Sequence, residues 1–175
     1  MNMMNDTIAA IATANATGAV SIIRISGEEA ILIASELINK DLSKKEGYTI
    51  TFGTVQEEND VVDEVLVSIF RAPKSYTGED VVEIGCHGGL FITRKILSLC
   101  LGKGARLARR GEFTERAFLN GKMDLSQAEG VNDLINATDE VNAKSAMHSL
   151  KGSVSKILKP LEEDLTQIMS NIEVN

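Results

Sequence analysis

Tryptophan is missing from this chain of 175 residues, and only five Phe and two Tyr are present. A core of stacked rings is therefore excluded, and Ile, Leu, Val, Ala and Met must fill the interior. Cysteine is just as scarce. Cys86 and Cys100 stand alone, without a C-x-x-C pair or a Cys/His cluster. That excludes a disulfide-stapled secreted scaffold and a zinc site, and it fits a reducing compartment. The first twenty residues lack a basic leader and are interrupted by Asp6 and Asn15. They read as neither a signal peptide nor a membrane span, so the expectation is a cytoplasmic protein without a membrane partner. No G-x-x-x-x-G-K-[S/T] occurs either, so these residues should not grip a nucleoside triphosphate in the P-loop manner.

What is present suffices for a real core: 43% of the residues are hydrophobic, over a length of one domain or one plus part of another. The net charge of −7 argues against a general nucleic-acid coat, yet it hides an asymmetry. From Arg94 to Lys122 the cations Arg94, Lys95, Lys103, Arg106, Arg109, Arg110, Arg116 and Lys122 face only Glu112 and Glu115. The segment is either a solvated surface, the simpler reading, or a docking patch for an anionic partner such as RNA.

Hydrophobic periodicity organises the chain into two regions. Ala19 to Ile25 alternates as a strand, and Ser26 with Glu29 forms an S-x-x-E capping box expected to open a helix through about Asn39. Tyr48 to Val55 and Val61 to Phe70, joined at EEND, read as antiparallel strands. VVEIGC is a further strand that passes through HGG into the helix LFITRKILSLCLG, which Gly102 stops. Ala105 to Ala108 supplies one more strand. Strands and helices alternating in this way predict a mixed-sheet α/β (α+β) domain over residues 1–119.

From Glu112 onward no strand pattern returns, and residues 120–175 read as the start of an all-helical domain. Asp124 and Gln127 make a D-x-x-Q box before a helix from Leu125 to Ala137. Met147, Leu150, Val154, Ile157, Leu161, Leu165, Ile168 and Ile172 form the seam of one or two long helices, with Pro160 a kink or restart. Either other helices cover that stripe or it folds back as a hairpin.

Few residues are placed for chemistry. Cys86 and His87 are strand neighbours facing opposite ways, so they cannot easily pair as nucleophile and base. Glu83, Gly85 and His87 share the other face, and the strand leaves through a glycine corner where backbone can approach a ligand. Glu83, between Val82 and Ile84, is a half-buried acceptor suited to amidine-like edges. Arg24, beside Val20 and Ile22 on its strand face, must be paired or hold an anion. An internal Arg24–Glu83 salt bridge is the simplest account of both. Lys122, after Asn120 and Gly121, is a plain turn residue or a cation presented to something.

SIIRISG, SYTGEDVVEIGCHGG and GEFTERAFLNGKMDLSQAE together resemble the N-terminal region of the MnmE (TrmE) family of tRNA-modification GTPases. The resemblance runs almost from end to end. It implies a homodimerising α/β domain that binds a tetrahydrofolate derivative, typically 5-formyltetrahydrofolate, in a fold related to the folate domain of aminomethyltransferases, followed by a helical domain. The family's G domain, with its GTP, Mg and K, and its C-terminal cysteine would lie beyond this sequence. The family works with its flavin-dependent partner MnmG (GidA) on the wobble uridine of certain tRNAs, at carbon 5.

The resemblance also implies that Arg24, Glu83 and Lys122 are the folate contacts of this region: Glu83 for the pterin amino edge, Arg24 and Lys122 for the anionic end. On that footing Lys122 is presented. No catalytic residue and no metal ligand is expected. The sequence departs from the family in ATANATGAV, where a Pro- and Gly-rich stretch is usual, and at Arg110, where proline is usual. Two other readings stand beside this one. An autonomous folate-dependent one-carbon transferase would need His87 as its acid or base; a ligand-free oligomerisation piece would need neither.

Overall fold

The alternation in VSIIRIS sends Ser21, Ile23 and Ile25 to one face of a strand and Ile22 and Arg24 to the other, and the computed structural model places that strand centrally in a six-stranded sheet. The structure describes residues 6–58, 60–152, 160 and 164–170. In chain order the named elements are β1 (Ile8–Ile11), β2 (Val20–Ser26), α1 (Ala30–Leu37), β3 (Thr49–Glu57), β4 (Asp60–Phe70), β5 (Val81–His87), α2 (Leu90–Gly102), β6 (Arg106–Leu107), α3 (Glu112–Leu119), α4 (Leu125–Ile135) and α5 (Glu140–Leu150). Sheet order is β3-β4-β5-β2-β1-β6, antiparallel except for the parallel β1–β6 pair. The class is α/β, as the alternation of elements predicted.

Helices α1 and α2 cover one face. Ile33, Ala34 and Leu37 of α1 and Ile96 of α2 join Ile23, Ile25, Val67 and Ile84 of the sheet in a single buried cluster. Each such branched side chain stabilises the domain by roughly 1.5–3 kcal/mol on full burial, so this layer holds the sheet. The opposite face carries two transverse rows fixed by register. One is Phe52, Leu66, Gly85 and Ile22; the other is Ile50, Ser68, Glu83, Arg24 and Ala10. Ile50, Phe52 and Leu66 are exposed.

Two local expectations are corrected. Ser26 does not cap α1. It remains in β2 with its hydroxyl bonded to Thr77 and Glu79, and no side chain of the N-cap residue Glu29 caps the helix. Instead Thr7 Oγ1 accepts the Glu29 backbone N–H at 3.0 Å, so the orphan donor is met by a residue distant in sequence. The strand β1 also escaped the reading. IAAI is a four-residue run without alternation, half of it alanine, and it forms a strand because it is inserted between β2 and β6.

The chain divides into two compact units, Met1–Asn120 and Gly121–Asn175. In the second, α4 begins with the expected reciprocal box: Asp124 accepts from the Gln127 backbone at 2.8 Å, and Gln127 Oε1 accepts from the Asp124 backbone at 2.9 Å. Helices α4 and α5 pack together where Gly130 lets them approach; an added Cβ there would lie 3.0 Å from Leu150 N and from Ser149 Cβ. Helix α5 ends at Leu150, followed by Gly152 at φ 67°, so the apolar seam starting at Met147 is interrupted. Residues 164–170, with Leu165 and Ile168, are helical. Val154, Ile157, Leu161 and Ile172 lie outside the described residues.

The glycine corner after β5 is a close backbone approach. Gly18 N donates to Gly88 O at 3.0 Å and Gly88 N to Ala19 O at 3.2 Å. A Cβ on Gly88 would sit 2.5 Å from the Gly18 carbonyl oxygen, whereas one on Gly85 would meet nothing closer than Leu66 O at 3.5 Å. Gly88→Ala is expected to cost about 1–3 kcal/mol in urea unfolding, as overpacking against backbone does. Gly85→Ala should stay within about 0.5 kcal/mol. Equal midpoints for the two variants would contradict this account of the corner.

Candidate functional site

Register places Arg24 of β2 directly opposite Glu83 of β5. Arg24 Nε donates to Glu83 Oε1 at 2.8 Å, and Nη2 lies 2.7 Å from the same oxygen. The two side chains are 26% and 23% exposed. Among the described residues no hydrogen bond falls on Glu83 Oε2 or on Arg24 Nη1. The pair is thus engaged through one carboxylate oxygen and retains an acceptor and a donor.

Two rings frame it. The guanidinium carbon of Arg24 is 5.3 Å from the centre of the Tyr76 ring and 5.5 Å from that of Phe113, within the range where a ring face attracts a cation. Tyr76 belongs to the loop between β4 and β5, and its hydroxyl is 2.9 Å from Thr114 Oγ1 at the start of α3. Loop and helix are also joined by Asn120 Nδ2, which donates to Thr77 O at 2.8 Å. Neither ring stood out in the sequence reading. Tyr76 and Phe113 both lie inside the quoted motifs SYTGEDVVEIGCHGG and GEFTERAFLNGKMDLSQAE, and only folding brings them over Arg24.

Lys122, the third sequence-predicted contact, is an exposed residue of the turn between α3 and α4, just after Gly121 at φ 68°. It falls in the second unit, whereas Arg24 and Glu83 belong to the first. Within the first unit, then, the structure brings together two of the three predicted residues and adds two aromatics.

A second cluster anchors α3. Glu112 is 2% exposed and accepts from Arg106 Nη1 at 3.1 Å and from the Arg109 backbone at 2.6 Å. Arg116, also buried, donates to Asp6 O at 2.7 Å and to Glu79 Oε1 at 3.1 Å. A cleft of about 240 Å³ runs along this cluster, lined by Glu79, Arg109, Glu112, Glu115, Arg116, Leu119 and Asn120. Much of the basic segment is thereby compensated: Lys95 pairs with Glu57, Lys103 with Glu36, Arg109 with Glu115, and Arg106 and Arg116 join the cluster. Five of the eight cations from Arg94 to Lys122 thus have acidic partners in the first unit.

Cys86 and Cys100 are buried, free thiols. Burial pushes the Cys86 thiol up, and it pushes Cys100 up to about 12. Neither is poised as a thiolate nucleophile. His87, 74% exposed, is held at its Nδ1 by Asp63 Oδ1 at 2.6 Å, and its backbone N–H donates to Asp63 Oδ2 at 2.8 Å. Four residues of strand put its Cα about 13 Å from that of Glu83. Among the described residues no group of His, Cys, Asp and Glu could hold a metal ion, and no helix is long and apolar enough to cross a membrane.

Comparison with known proteins decides the family. Residues 7–122 match the family model described as "GTP-binding protein TrmE N-terminus", and residues 125–175 match "MnmE helical domain". The chain belongs to the MnmE (TrmE) family. It is 49% identical over 173 residues to the tRNA modification GTPase MnmE of Levilactobacillus brevis, covering 97% of this chain and 37% of that protein. It is 50% identical over 173 residues to the MnmE of Pediococcus pentosaceus, with the same coverage, and 46% identical over 175 residues to that of Clostridioides difficile, covering 98% of this chain and 38% of the relative. The chain therefore spans little more than a third of the length of these MnmE relatives. Arg24, Glu83, Tyr76 and Phe113 all fall within the TrmE N-terminal match.

The acid response of the α3 cluster is predictable. Burial pushes the Glu112 carboxyl up, but the Arg106 hydrogen bond, the Arg109 N–H and the charges of both arginines outweigh it and bring it from 4.5 to about 2. A carboxylate lowered by folding contributes stability that is complete above its unfolded value and is lost as pH falls through the folded one. Between about pH 4.5 and pH 2 the chain should lose on the order of 3 kcal/mol from this group. Glu112→Gln should be less stable at pH 7 by about 3–5 kcal/mol and show a flatter acid limb in denaturant titrations. Parallel limbs for the two proteins would contradict the assignment.

Proposed function

We propose that this chain is the folate-binding and self-associating module of an MnmE-type GTPase. Its ligand is a tetrahydrofolate derivative of the 5-formyltetrahydrofolate kind, taken by Glu83 and Arg24 in the first unit. In the whole protein this module serves the modification of the tRNA wobble uridine at carbon 5, together with MnmG. The single observation that carries the reading is the Arg24–Glu83 pair: a half-buried carboxylate with one oxygen still able to accept, beside a guanidinium with a nitrogen still able to donate. A pterin edge offers the complementary donors and acceptor. The family match over residues 7–122 supports the assignment.

Self-association is read from the bare part of the sheet face. Ile50, Phe52 and Leu66 are exposed on adjacent strands β3 and β4, an apolar surface of the sort that interfaces cover. The autonomous-transferase reading draws no support from His87, given its distance from Glu83 along the strand.

Isothermal titration with 5-formyltetrahydrofolate should give saturable binding to the wild-type chain and a loss of at least about tenfold in Glu83→Ala, as removal of a charged hydrogen-bond partner does. Absence of binding in the wild type, or unchanged affinity in the variant, would remove the folate assignment. GTP hydrolysis by this chain should be undetectable. Light scattering at micromolar concentration should report a dimer for the wild type and a monomer for Phe52→Glu; a monomeric wild type would contradict self-association.

A further inference from the structure

The folate proposal assigns Glu83 and Arg24 but leaves open how they divide the ligand between them. Arg24 does not face solvent as an isolated cation. Its charge is compensated by Glu83 at 2.7 Å, and two ring faces flank its guanidinium. A guanidinium already neutralised by a carboxylate is a poor holder of an anionic tail, since a second carboxylate would be repelled by the first. It is a good donor to a neutral carbonyl. Glu83 uses only Oε1 toward Arg24, so Oε2 is left for a ligand N–H beside that carbonyl.

We propose that Tyr76 and Phe113 are positioning residues that hold Arg24 against Glu83 Oε1, so that Glu83 Oε2 and Arg24 Nη1 read one lactam edge, an N–H beside a C=O, on a flat heterocycle. This rests on the folate reading and makes Arg24 a reader of the pterin ring, not of the glutamate tail. The rings act by fixing the guanidinium. Tyr76 is itself fixed by its hydroxyl at 2.9 Å from Thr114 Oγ1, next in sequence to Phe113, so both rings are tied to the first turn of α3. That turn is held in turn by the buried Glu112 cluster. The attraction of a flanking ring face for a cation is enough for a several-fold to tenfold effect on a ligand that depends on the guanidinium's position.

Competition against bound 5-formyltetrahydrofolate supplies the test, with three small probes. 6-Methylpterin carries the lactam edge, and 2,4-diamino-6-methylpteridine replaces its carbonyl with an amine. p-Aminobenzoylglutamate is the tail alone. The wild-type chain should prefer the pterin over the diaminopteridine by about tenfold. Tyr76→Leu and Phe113→Leu should weaken 5-formyltetrahydrofolate and the pterin by about tenfold and shrink the pterin-to-diaminopteridine preference, while leaving the tail probe unchanged. Tyr76→Phe, which keeps the ring but loses its tether to Thr114, should lose less affinity and preference than Tyr76→Leu.

Circular dichroism midpoints check folding, and should Phe113→Leu fail to fold, the Tyr76→Leu and Tyr76→Phe pair carries the comparison. A ring-loss variant that is folded and retains both affinity and preference would overturn the positioning role while the folate reading stands. Equal binding of pterin and diaminopteridine would overturn the edge assignment. A wild-type chain that binds no folate would fell the folate reading, and this inference with it.

Discussion

The pairing of β2 with β5 in a register that sets Arg24 opposite Glu83 is the constraint from which the site follows. If β2 slipped by one residue, Arg24 would turn into the helix-covered core and Ile23 would come out. Burial of the apolar face by α1 and α2 forbids that slip, so hydrophobic packing on one side fixes the ion pair on the other. Half-buried charges tolerate such a position only when they are matched, and here each is the other's match. The rings of Tyr76 and Phe113 then close over the guanidinium, with the β4–β5 loop and α3 brought to the same face.

Helix α3 owes its place to a different balance. Its sequence is mixed, with Glu112, Glu115 and Arg116 among Phe113, Ala117, Phe118 and Leu119, and its first residue Glu112 is buried with its charge intact. That would be costly in isolation. Arg106, the Arg109 backbone and Arg116 satisfy the carboxylate, while Arg116 reaches Asp6 and Glu79. Removing a partner leaves a buried charge less well matched, so the cluster fixes α3 firmly. The same arrangement explains why a segment so basic in sequence does not present an uninterrupted basic surface.

Local periodicity revealed most of the first unit. β2, the β3–β4 hairpin, β5 and the α2 helix with its limits at Leu90 and Gly102 were all legible because each has an alternating or helical apolar pattern bounded by turn residues. The Asp124–Gln127 box was legible because both partners lie within one turn. What was not legible depended on distant residues. IAAI becomes a strand by fitting between two others, Thr7 replaces Ser26 at the start of α1, and Asp6 and Glu79 neutralise Arg116 from far along the chain. For the site, Arg24 and Glu83 could be suspected as partners from strand faces alone. Tyr76 and Phe113 could not, because a loop and a helix approach the sheet through contacts that no spacing rule encodes.

The central claim is that a reduced folate engages this ion pair itself. Its most direct test is the side-chain Nε–H resonance of Arg24, assigned by comparison with Arg24→Lys and followed by nitrogen-edited NMR as 5-formyltetrahydrofolate is added. The account predicts that this resonance moves to a saturating limit with the ligand while those of Arg106 and Arg116 stay in place. Saturation of the chain by folate with the Arg24 resonance unmoved would contradict it.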